Sequence, residues 1–260
     1  MSVNNNLSSS CIHPGAKIAK TVQLSANVFI DDGAVIEDNV RIEPGVVIYE
    51  KVHISAGSYI GAQCILGERL ADFLKDKDYV NPVLKIGPNS IIRSGTIIYA
   101  GVITGNSFQT GNRAVIREHS IFGDNCSFGT LCQSDGHIKV GNNCRFHNNV
   151  FIATYTTIED DVHFYPMSCT VDSRHPPCQK SRQGPYFEKG VIVGAKALIM
   201  PAIRIGAGSV IAGAAVVTCD TPPNAVLVGA PAKVVKQRDE VRCHIEDRPA
   251  YEVTLGAVKL

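Results

Sequence analysis

The sequence predicts an all-β fold, a parallel β-helix of about ten triangular coils with two loop insertions and a short C-terminal cap. Three observations predict it. An aliphatic residue recurs at every sixth position, a small residue follows it four places later, and the repeat is interrupted twice. A period of six fits neither the 3.6 of a helix nor the 2 of a strand, so each unit is expected to form a short strand and a corner.

The repeat runs in three frames. In the first frame, ten successive slots, six residues apart from Ile12 to Leu66, hold Ile or Leu. The second runs from Ile86 to Thr170 and has Ile, Val or Phe in eleven of its fifteen slots, and the third runs from Val193 to Val217. Three units close one coil of about 18 residues, and coils stack at a strand spacing of about 4.8 Å. Each coil then buries its apolar side chains only against its neighbours.

The interruptions and the C-terminus complete the predicted organisation. A β-helix domain spans 1–232, with insertions at 67–85 and 171–190, and a cap or tail follows at 233–260. Loops of that length within a compact repeat are usually functional. Two consecutive prolines end the repeat, and "AKVVKQRDEVR" after them predicts a short capping helix over the open end of the coil.

Composition narrows the function classes. The chain has 260 residues, a formal net charge of +1 and 19% charged residues, which predicts neither nucleic-acid nor anionic-membrane binding. The first ten residues do not resemble a signal peptide, and no apolar run approaches the ~18 residues that span a bilayer, so we expect a cytoplasmic protein. Nine cysteines occur without a C-x-x-C pair. Cys64, Cys126 and Cys144 fall on the small-residue slot, which favours structural filler over metal or disulfide chemistry.

A coil of 18 residues places positions 18 apart on one face, so the sequence predicts columns of stacked side chains. Polar columns concentrate between 93 and 165 and include Gln109–Ser127–Arg145–His163, Gly111–Gly129–His147–Tyr165 and Tyr99–Arg117–Asp135. Arg117 is expected within ion-pair reach of Asp135. The inward slots also become polar in this zone, at Thr104, Thr110 and Ser134. Buried hydroxyls cost free energy unless hydrogen-bonded, so this zone is the candidate functional site, although polar ladders that only stabilise the coils are the alternative.

Several strings carry a family resemblance. They are "RSGTIIYAG", "FQTG" and "REH" between 93 and 119, "HNNVFI" at 147–152, "HPP" at 175–177, "GERLADF" and "VGAPAKVV". With the repeat, they resemble the hexapeptide-repeat acyltransferases, which form left-handed parallel β-helices, and among them the N-acyltransferases of dTDP-linked amino-dideoxyhexoses. The resemblance covers 12–236. Relatives often carry His after "FQTG", where this chain has Asn112, and that departure puts any catalytic role of this position in doubt.

The resemblance implies an acyl-CoA-dependent N-acyltransferase that transfers an acetyl or similar group to the amine of a nucleotide-linked amino-deoxysugar. It implies acetyl-CoA as co-substrate, no metal, and a homotrimer with each site in a cleft between two subunits. The implied cofactor-binding residues are Gly194, Ala195, Ala212, Gly213, Pro231 and Lys233. The last of these is expected to meet the 3′-phosphate as a point charge.

The reaction requires groups that hold a neutral amine and remove its proton. His147 is the first candidate base, because an imidazole is half-neutral near its ordinary pKa of about 6.5. Glu118 is the alternative base, and Asn148 completes the candidate catalytic set. The candidate substrate-binding residues are Arg93, Tyr99, Phe108, Gln109, Asn112, Arg117, Thr130, Asp135 and His175. Phe108 or Tyr99 is expected to stack on a base or sugar ring.

Other readings stay open from the sequence. Within the enzyme class, the acyl acceptor can be a sugar hydroxyl, or the donor an acyl carrier protein. A zinc lyase on the same fold needs three histidines, whereas only His119 and His137 are expected to stack one coil apart. A non-catalytic β-helix scaffold would need neither the polar zone nor the long loops.

Overall fold

The computed structural model describes residues 10–76, 78–176 and 182–251. The chain forms two compact units, Met1–Gly136 and His137–Leu260, and the boundary falls within the domain predicted over 1–232. In the described residues both units consist of short parallel strands, with two short 3-10 helices besides. The predicted all-β parallel β-helix is confirmed. No helix among the described residues is long and apolar enough to cross a bilayer.

The first unit contains strands β1–β19 on three faces, which we call A, B and C. Face A has the order β1-β4-β7-β10-β13-β16-β19, face B β2-β5-β8-β11-β14-β17, and face C β3-β6-β9-β12-β15-β18. The strands are β1 Cys11–Ile12, β2 Lys17–Ile18, β3 Gln23–Leu24, β4 Phe29–Ile30, β5 Val35–Ile36, β6 Arg41–Ile42, β7 Val47–Ile48, β8 Val52–Ile54, β9 Tyr59–Ile60, β10 Ile65–Glu68, β11 Leu84–Ile86, β12 Ile91–Ile92, β13 Ile97–Tyr99, β14 Ile103–Thr104, β15 Gln109–Thr110, β16 Val115–Ile116, β17 Ile121–Phe122, β18 Ser127–Phe128 and β19 Gln133–Ser134.

The second unit continues the same pattern. Its face A has the order β22-β25-β28-β31, face B β20-β23-β26-β29, and face C β21-β24-β27-β30-β32-β33. The strands are β20 Lys139–Val140, β21 Arg145–Phe146, β22 Phe151–Ile152, β23 Thr157–Ile158, β24 His163–Phe164, β25 Cys169–Thr170, β26 Tyr186–Phe187, β27 Ile192–Val193, β28 Leu198–Ile199, β29 Arg204–Ile205, β30 Val210–Ile211, β31 Val216–Val217, β32 Ala225–Val228 and β33 Lys233–Gln237.

The register confirms the coil length. Gln109 pairs with Ser127, and Arg145 pairs with His163, each 18 residues apart. The ten coils predicted from sequence are an undercount. The described chain holds 33 strands, and three strands close one coil, so it has more than ten coils. The sequence count missed β26, whose Phe187 is fully buried, so the coil resumes at Tyr186, before the predicted end of the second insertion at 190.

The inward slot of each unit forms the core. Ile30, Ile36, Ile42, Ile48, Ile54, Ile60 and Leu66 are buried to within 1% in the first unit. Further along, Phe122, Phe146 and Phe164 fill the slot, and Phe108 fills a small-residue slot that also faces the core. The rings of Phe108 and Phe122 lie 5.0 Å apart, and those of Phe146 and Phe164 stack at 5.0 Å. Burying one such side chain contributes roughly 1.5–3 kcal/mol, so the repeat itself supplies the stability of the coil. Cys64, Cys126 and Cys144 are buried among these side chains, as predicted.

The corners require left-handed backbone. From Ser107 to Met167, every sixth residue has φ between 52° and 62°, and none of these residues is glycine. Asn and Asp tolerate this region, but it also holds Arg113, Leu131 and Tyr155. The corner geometry is therefore imposed by stacking on the neighbouring coils at positions where the residue itself does not favour it.

The inward hydroxyls have a structural explanation. Thr104 accepts a hydrogen bond from the Gly87 amide at 3.1 Å, and Thr110 accepts one from the Arg93 amide at 2.9 Å. Ser134 does the same for the Arg117 amide at 3.2 Å. Each donor lies 17 residues before its acceptor. The polar inward slots are thus satisfied within the coil and do not by themselves mark a functional site.

The first insertion docks on the coil through one arginine. It contains a 3-10 helix, Ala71–Leu74. The Arg69 guanidinium lies between the rings of Tyr49 and Phe73, at 4.5 and 4.4 Å from their centres, and bonds Asp31 at 3.2 Å and Glu50 at 3.3 Å. The insertion is therefore attached to face A by a half-buried cation that contacts two aromatic rings.

The predicted capping helix is wrong. Lys233–Gln237 forms β33, antiparallel to β32, and only Arg238–Glu240 forms a 3-10 helix. Val234 and Val235 favour a strand, and the exposed edge of β32 offers them backbone partners. Beyond it, Val241 and Tyr251 pack on Ile192, Val210 and Val226, the outer face of this sheet.

Candidate functional site

An arginine with two carboxylates forms the most polar cluster of the first unit. Arg117 donates from Nε and Nη2 to the two oxygens of Glu118, at 3.1 and 2.7 Å, and from Nη1 to Asp135 Oδ1 at 2.6 Å. The predicted Arg117–Asp135 ion pair is confirmed. Burial alone would lower the pKa of Arg117, but the two carboxylates raise it above its ordinary value.

This cluster bears on the choice of base. Both carboxylate oxygens of Glu118 accept hydrogen bonds from Arg117, and the Glu118 side chain is only 16% exposed. Both oxygens are therefore occupied by the guanidinium, in a paired arrangement that fixes the orientation of the two side chains. This contact favours a positioning role for Glu118.

Among the other predicted residues of the first unit, Arg93, Asn112 and Thr130 follow β12, β15 and β18 of face C on adjoining coils, whereas Tyr99 lies on β13 of face A. Gln109, on β15, Asn112 and Arg93 are exposed, and Tyr99 and Thr130 are partly exposed. Gly111 lies so close to the next coil that a Cβ there would come within 2.0 Å of the Thr130 amide nitrogen, which explains glycine at this position. Phe108 differs from the prediction. It is fully buried against Phe122, so its ring is not available to stack on a ligand.

Four polar side chains meet on face C of the second unit. Arg145 and His163 are register partners on β21 and β24, and His147 and Tyr165 follow them two residues later. The rings of His147 and Tyr165 stack with centres 4.7 Å apart at 16°. Inward-facing Phe146 and Phe164 alternate with them, so this group, the His147 cluster, lies on the outer surface of the coil.

Both histidines of the cluster are neutral at neutral pH. Partial burial lowers the pKa of His147, and the charge of Arg145 lowers it further. Burial lowers the pKa of His163 to about 4, with smaller contributions from Arg145 and His147. His147 is exposed while His163 is only 4% exposed. A neutral, exposed imidazole is the protonation state that a general base requires. Asn148, beside His147, is also exposed.

The residues predicted to bind the acyl donor form a strip of small side chains in the second unit. Gly194 donates its amide to Ile211 at 2.8 Å, and Ala214 donates to Ala195 at 2.8 Å, so Gly194–Ala195 and Ala212–Gly213 are neighbours on adjoining coils. A strip without side chains beyond a methyl group is a surface along which a narrow, unbranched molecule such as pantetheine can lie. Pro231 and Lys233 are exposed, and Lys233 begins β33. His175 is exposed in the second insertion.

Comparisons with known proteins agree with this fold. Residues 33–68 match the family model described as bacterial transferase hexapeptide (six repeats). Over 56 residues the chain is 46% identical to 2,3,4,5-tetrahydropyridine-2,6-dicarboxylate N-acetyltransferase of Staphylococcus aureus (strain JH9); the match covers 22% of this chain and 23% of that protein. The matched part thus spans about a quarter of the length of these curated relatives.

Among solved structures, the chain is similar to the UDP-N-acetylglucosamine acyltransferase LpxA from Bacteroides fragilis 9343, at 21% identity and a TM-score of 0.46, covering 88% of this chain and 72% of that one. It is also similar to a mutant of AntD, an N-acyltransferase from Bacillus cereus in complex with dTDP and coenzyme A, at 16% identity and a TM-score of 0.33, covering 65% and 90%. The six-residue repeat and the 18-residue register agree with the family match over residues 33–68.

Sequence reasoning left out three residues of the His147 cluster. Arg145, His163 and Tyr165 stood in predicted columns but were not assigned a role. For the first two, the signal was their column itself, since two basic side chains one coil apart must lie near each other. The burial of His163 could not be foreseen, because the outer face of a coil is ordinarily solvated.

Among residues 10–76, 78–176 and 182–251, no three His, Cys, Asp or Glu side chains group in a way that could hold a metal ion. No disulfide links the cysteines of these ranges, and burial raises the pKa of Cys64 to about 11, which makes it an inert core thiol.

Proposed function

We propose that this protein is an acyl-CoA-dependent acyltransferase that acylates the amine of a nucleotide-linked amino-deoxysugar. The observation that carries the proposal is the neutral, exposed imidazole of His147 on a hexapeptide-repeat coil. The names of the relatives matched in sequence support the reaction class, since they are N-acetyltransferases. The acceptor rests on the sequence resemblance, because those relatives, matched over 56 residues, are named for a different amine acceptor.

The chemistry assigns a role to the base. When an amine attacks a thioester carbonyl, a C–N bond forms, the carbonyl oxygen takes the negative charge, and the nitrogen becomes cationic. The neutral His147 accepts the proton from that nitrogen, and the tetrahedral intermediate then expels the thiolate, which takes up a proton. A positioned base of this kind typically contributes about 10²–10⁴ in rate. A hydrogen-bond donor to the oxyanion contributes roughly 3 kcal/mol.

Other predicted residues keep their proposed roles. Gly194, Ala195, Ala212 and Gly213 provide the surface for the pantetheine arm, and Lys233 meets the 3′-phosphate. Arg93, Tyr99, Gln109, Asn112, Arg117, Thr130, Asp135 and His175 are proposed to contact the acceptor, with Asn148 beside the base; Phe108 is not retained. We also propose a homotrimer in the cytoplasm, which sedimentation equilibrium of the purified protein tests for assembly.

The test is thiol release from acetyl-CoA with a panel of acceptors. The panel contains dTDP- and UDP-linked amino-deoxysugars, the matching hydroxy sugars, and tetrahydropyridine dicarboxylate. We expect release only with the amino sugars. Release with the dicarboxylate alone would replace the proposed acceptor, and no release with any acceptor, while acetyl-CoA does not bind at millimolar concentration, would favour a non-catalytic scaffold.

His147→Ala is expected to lower kcat by about 10², the lower end of what a positioned base contributes, because a neutral amine is itself nucleophilic. In the parent protein, kcat/KM should fall as the pH drops through a value below the ordinary histidine pKa of about 6.5, because protonated His147 cannot accept a proton. His244→Asn, in the exposed C-terminal segment, is the matched control and should keep both kcat and the pH profile.

The size of the loss also separates two acceptor classes. An amine is nucleophilic once neutral and tolerates the loss of a base, whereas a hydroxyl does not. Loss of nearly all activity in His147→Ala would therefore favour O-acylation of a sugar hydroxyl. An unchanged kcat and pH profile would remove His147 from the mechanism.

A further inference from the structure

On face C of the second unit, a buried imidazole nitrogen without a partner lies beside a partly exposed arginine without an ion pair. Nε2 of His163 is buried and has no hydrogen-bond partner in the described structure. The Arg145 guanidinium, on the adjoining strand, forms no ion pair with any carboxylate of the described residues, although other surface arginines such as Arg117 and Arg204 do. Buried polar atoms are nearly always satisfied, so an orphaned one calls for an explanation.

The surroundings of His163 are basic on one side and apolar on the other. Arg145 is its register partner on β21, and Ile192 is its partner on β27. His147 and Tyr165 complete the cluster at its rim. The nearest acid, Asp161, lies 3.4 Å from Lys189 and accepts a hydrogen bond from the Asn143 side chain at 3.1 Å, so it is already engaged. The net local charge is positive and not neutralised.

We propose that Arg145 and His163 form a subsite for a phosphoryl group of a bound ligand, with His147 at its rim. The guanidinium presents donors only, and imidazole Nε2 donates in one tautomer, so an anionic oxygen accepts from both. A cation would be repelled by Arg145, and a neutral ligand would leave the guanidinium unpaired. A tetrahedral phosphoryl group offers three oxygens, which matches donors that come from two strands and from the corner beyond them.

The source of the phosphoryl group rests on the proposed function. Both proposed substrates, acyl-CoA and a nucleotide-linked sugar, carry a diphosphate. The subsite itself needs neither identity, because the recognised chemistry is shared. Because Nε2 of His163 is buried, binding requires the partly exposed Arg145 side chain beside it to shift and admit the phosphoryl oxygen.

Proton uptake should accompany binding. The groups facing His163 are Arg145 and His147 from β21 and its corner, Asp161 before β24 and Tyr165 after it, with apolar Ile192 on the other side. A phosphoryl anion would oppose the desolvation and the positive charges that keep the imidazole neutral. Binding should therefore strengthen as the pH falls from about 7 towards about 5.5.

Calorimetric titration with inorganic pyrophosphate tests the subsite in the full-length protein. We expect Arg145→Gln to weaken pyrophosphate binding about tenfold or more, as removal of a charge-assisted hydrogen bond usually does. His163→Phe keeps a buried ring and should weaken binding several-fold while raising Tm, because the orphaned nitrogen is gone. Lys139→Gln, an exposed cation at the start of β20, is the matched control and should stay within about twofold.

Titrations in two buffers of different ionisation enthalpy should reveal proton uptake in the parent protein and not in His163→Phe. Three results would overturn the subsite: no pyrophosphate binding to the parent protein at millimolar concentration, equal weakening in Arg145→Gln and Lys139→Gln, or unchanged affinity in His163→Phe. A crystal structure with only an ordered water on Nε2 at saturating pyrophosphate would also overturn it.

Further titrations distinguish the source of the phosphoryl group from the activity. If Arg145→Gln weakens acetyl-CoA but not dTDP, with pantetheine unaffected, the subsite serves the acyl donor; the converse assigns it to the acceptor. Pyrophosphate binding that depends on Arg145, in a protein that transfers no acyl group, would keep the subsite and remove the proposed function. If Arg145→Gln still transfers the acyl group with both KM values unchanged, the proposed function stands and the subsite is removed.

Discussion

At the scale of single residues, the corners show where the fold overrides local preference. Lys51 adopts φ = 59° although its side chain gains nothing from the left-handed region, which costs an ordinary L-residue about 1–2 kcal/mol. Asn tolerates that region several-fold better. Lys51→Asn should therefore raise the free energy of unfolding by about 0.5–1 kcal/mol, measured by urea denaturation. Lys17→Asn, within strand β2, is the control and should not stabilise, since its backbone is extended.

His163 gives a second residue-scale prediction, on pH dependence. Its pKa is lowered to about 4 in the folded protein and returns to about 6.5 on unfolding. The unfolded state therefore binds the extra proton between these values, and stability should fall as the pH drops from about 6.5 to about 4, by up to about 3 kcal/mol. His163→Phe should flatten that part of the stability profile, measured by urea unfolding at each pH. A profile of equal slope in both proteins would contradict the assignment.

At the scale of elements, Arg69 makes the largest set of side-chain contacts between the first insertion and the coil, beside the hydrogen bond from Asn81 to Glu50 at 2.7 Å. Arg69 combines two ion pairs with contacts to the faces of Tyr49 and Phe73. Lysine cannot reproduce the planar stacking or the paired hydrogen bonds. Arg69→Lys should therefore loosen the insertion, and we expect proteolytic cleavage within 71–83 to become about tenfold faster while cleavage elsewhere is unchanged.

The same insertion supplies the control for Arg69→Lys. Lys75 pairs with Asp72 at 3.7 Å, and both side chains are largely exposed. An ion pair of that kind contributes about 0–1 kcal/mol, so Lys75→Ala should leave the cleavage rate almost unchanged. Equal acceleration in both variants would show that Arg69 is not the residue that attaches the insertion.

Elements also show what the sequence could and could not predict. The six-residue period predicts the strands, their 18-residue register and the Arg117–Asp135 pair, because these follow from geometry alone. It does not predict β33, since the choice between a capping helix and an edge strand depends on the free edge of β32. The period also did not lead to the burial of Phe108. Its aromatic ring suggested a ligand contact, but its slot faces the core. The lowered pKa of His147 could not be predicted either, because it depends on where Arg145 lies and on burial of the imidazole beside Tyr165.

At the scale of the whole molecule, the period of six is a stricter requirement than the identity of any residue. Deleting Glu43–Ile48, one whole unit, moves the preceding coils of the first unit round by one face but keeps Ile12 to Ile42 inward. Deleting Glu43–Val47, one residue fewer, turns all six of these aliphatics outward. Ile30, Ile36 and Ile42 are buried to within 1%, whereas Ile12 is 37% exposed. Each fully buried aliphatic contributes roughly 1.5–3 kcal/mol, so the second deletion removes on the order of 5–9 kcal/mol, which is comparable with the stability of a whole domain.

The six-residue deletion should therefore fold, with a cooperative thermal transition and a Tm lowered mainly by the lost unit and by separation of Asp31 from Arg69. The five-residue deletion should lose the transition of its N-terminal coils and become protease-sensitive between 10 and 42. Circular dichroism melts and limited proteolysis of the two variants, which differ by a single residue, compare these outcomes directly. Equal stability would mean that the coils do not depend on the phase of the repeat, and a failure of both would show that the docked insertion, and not the repeat, holds this part of the chain together.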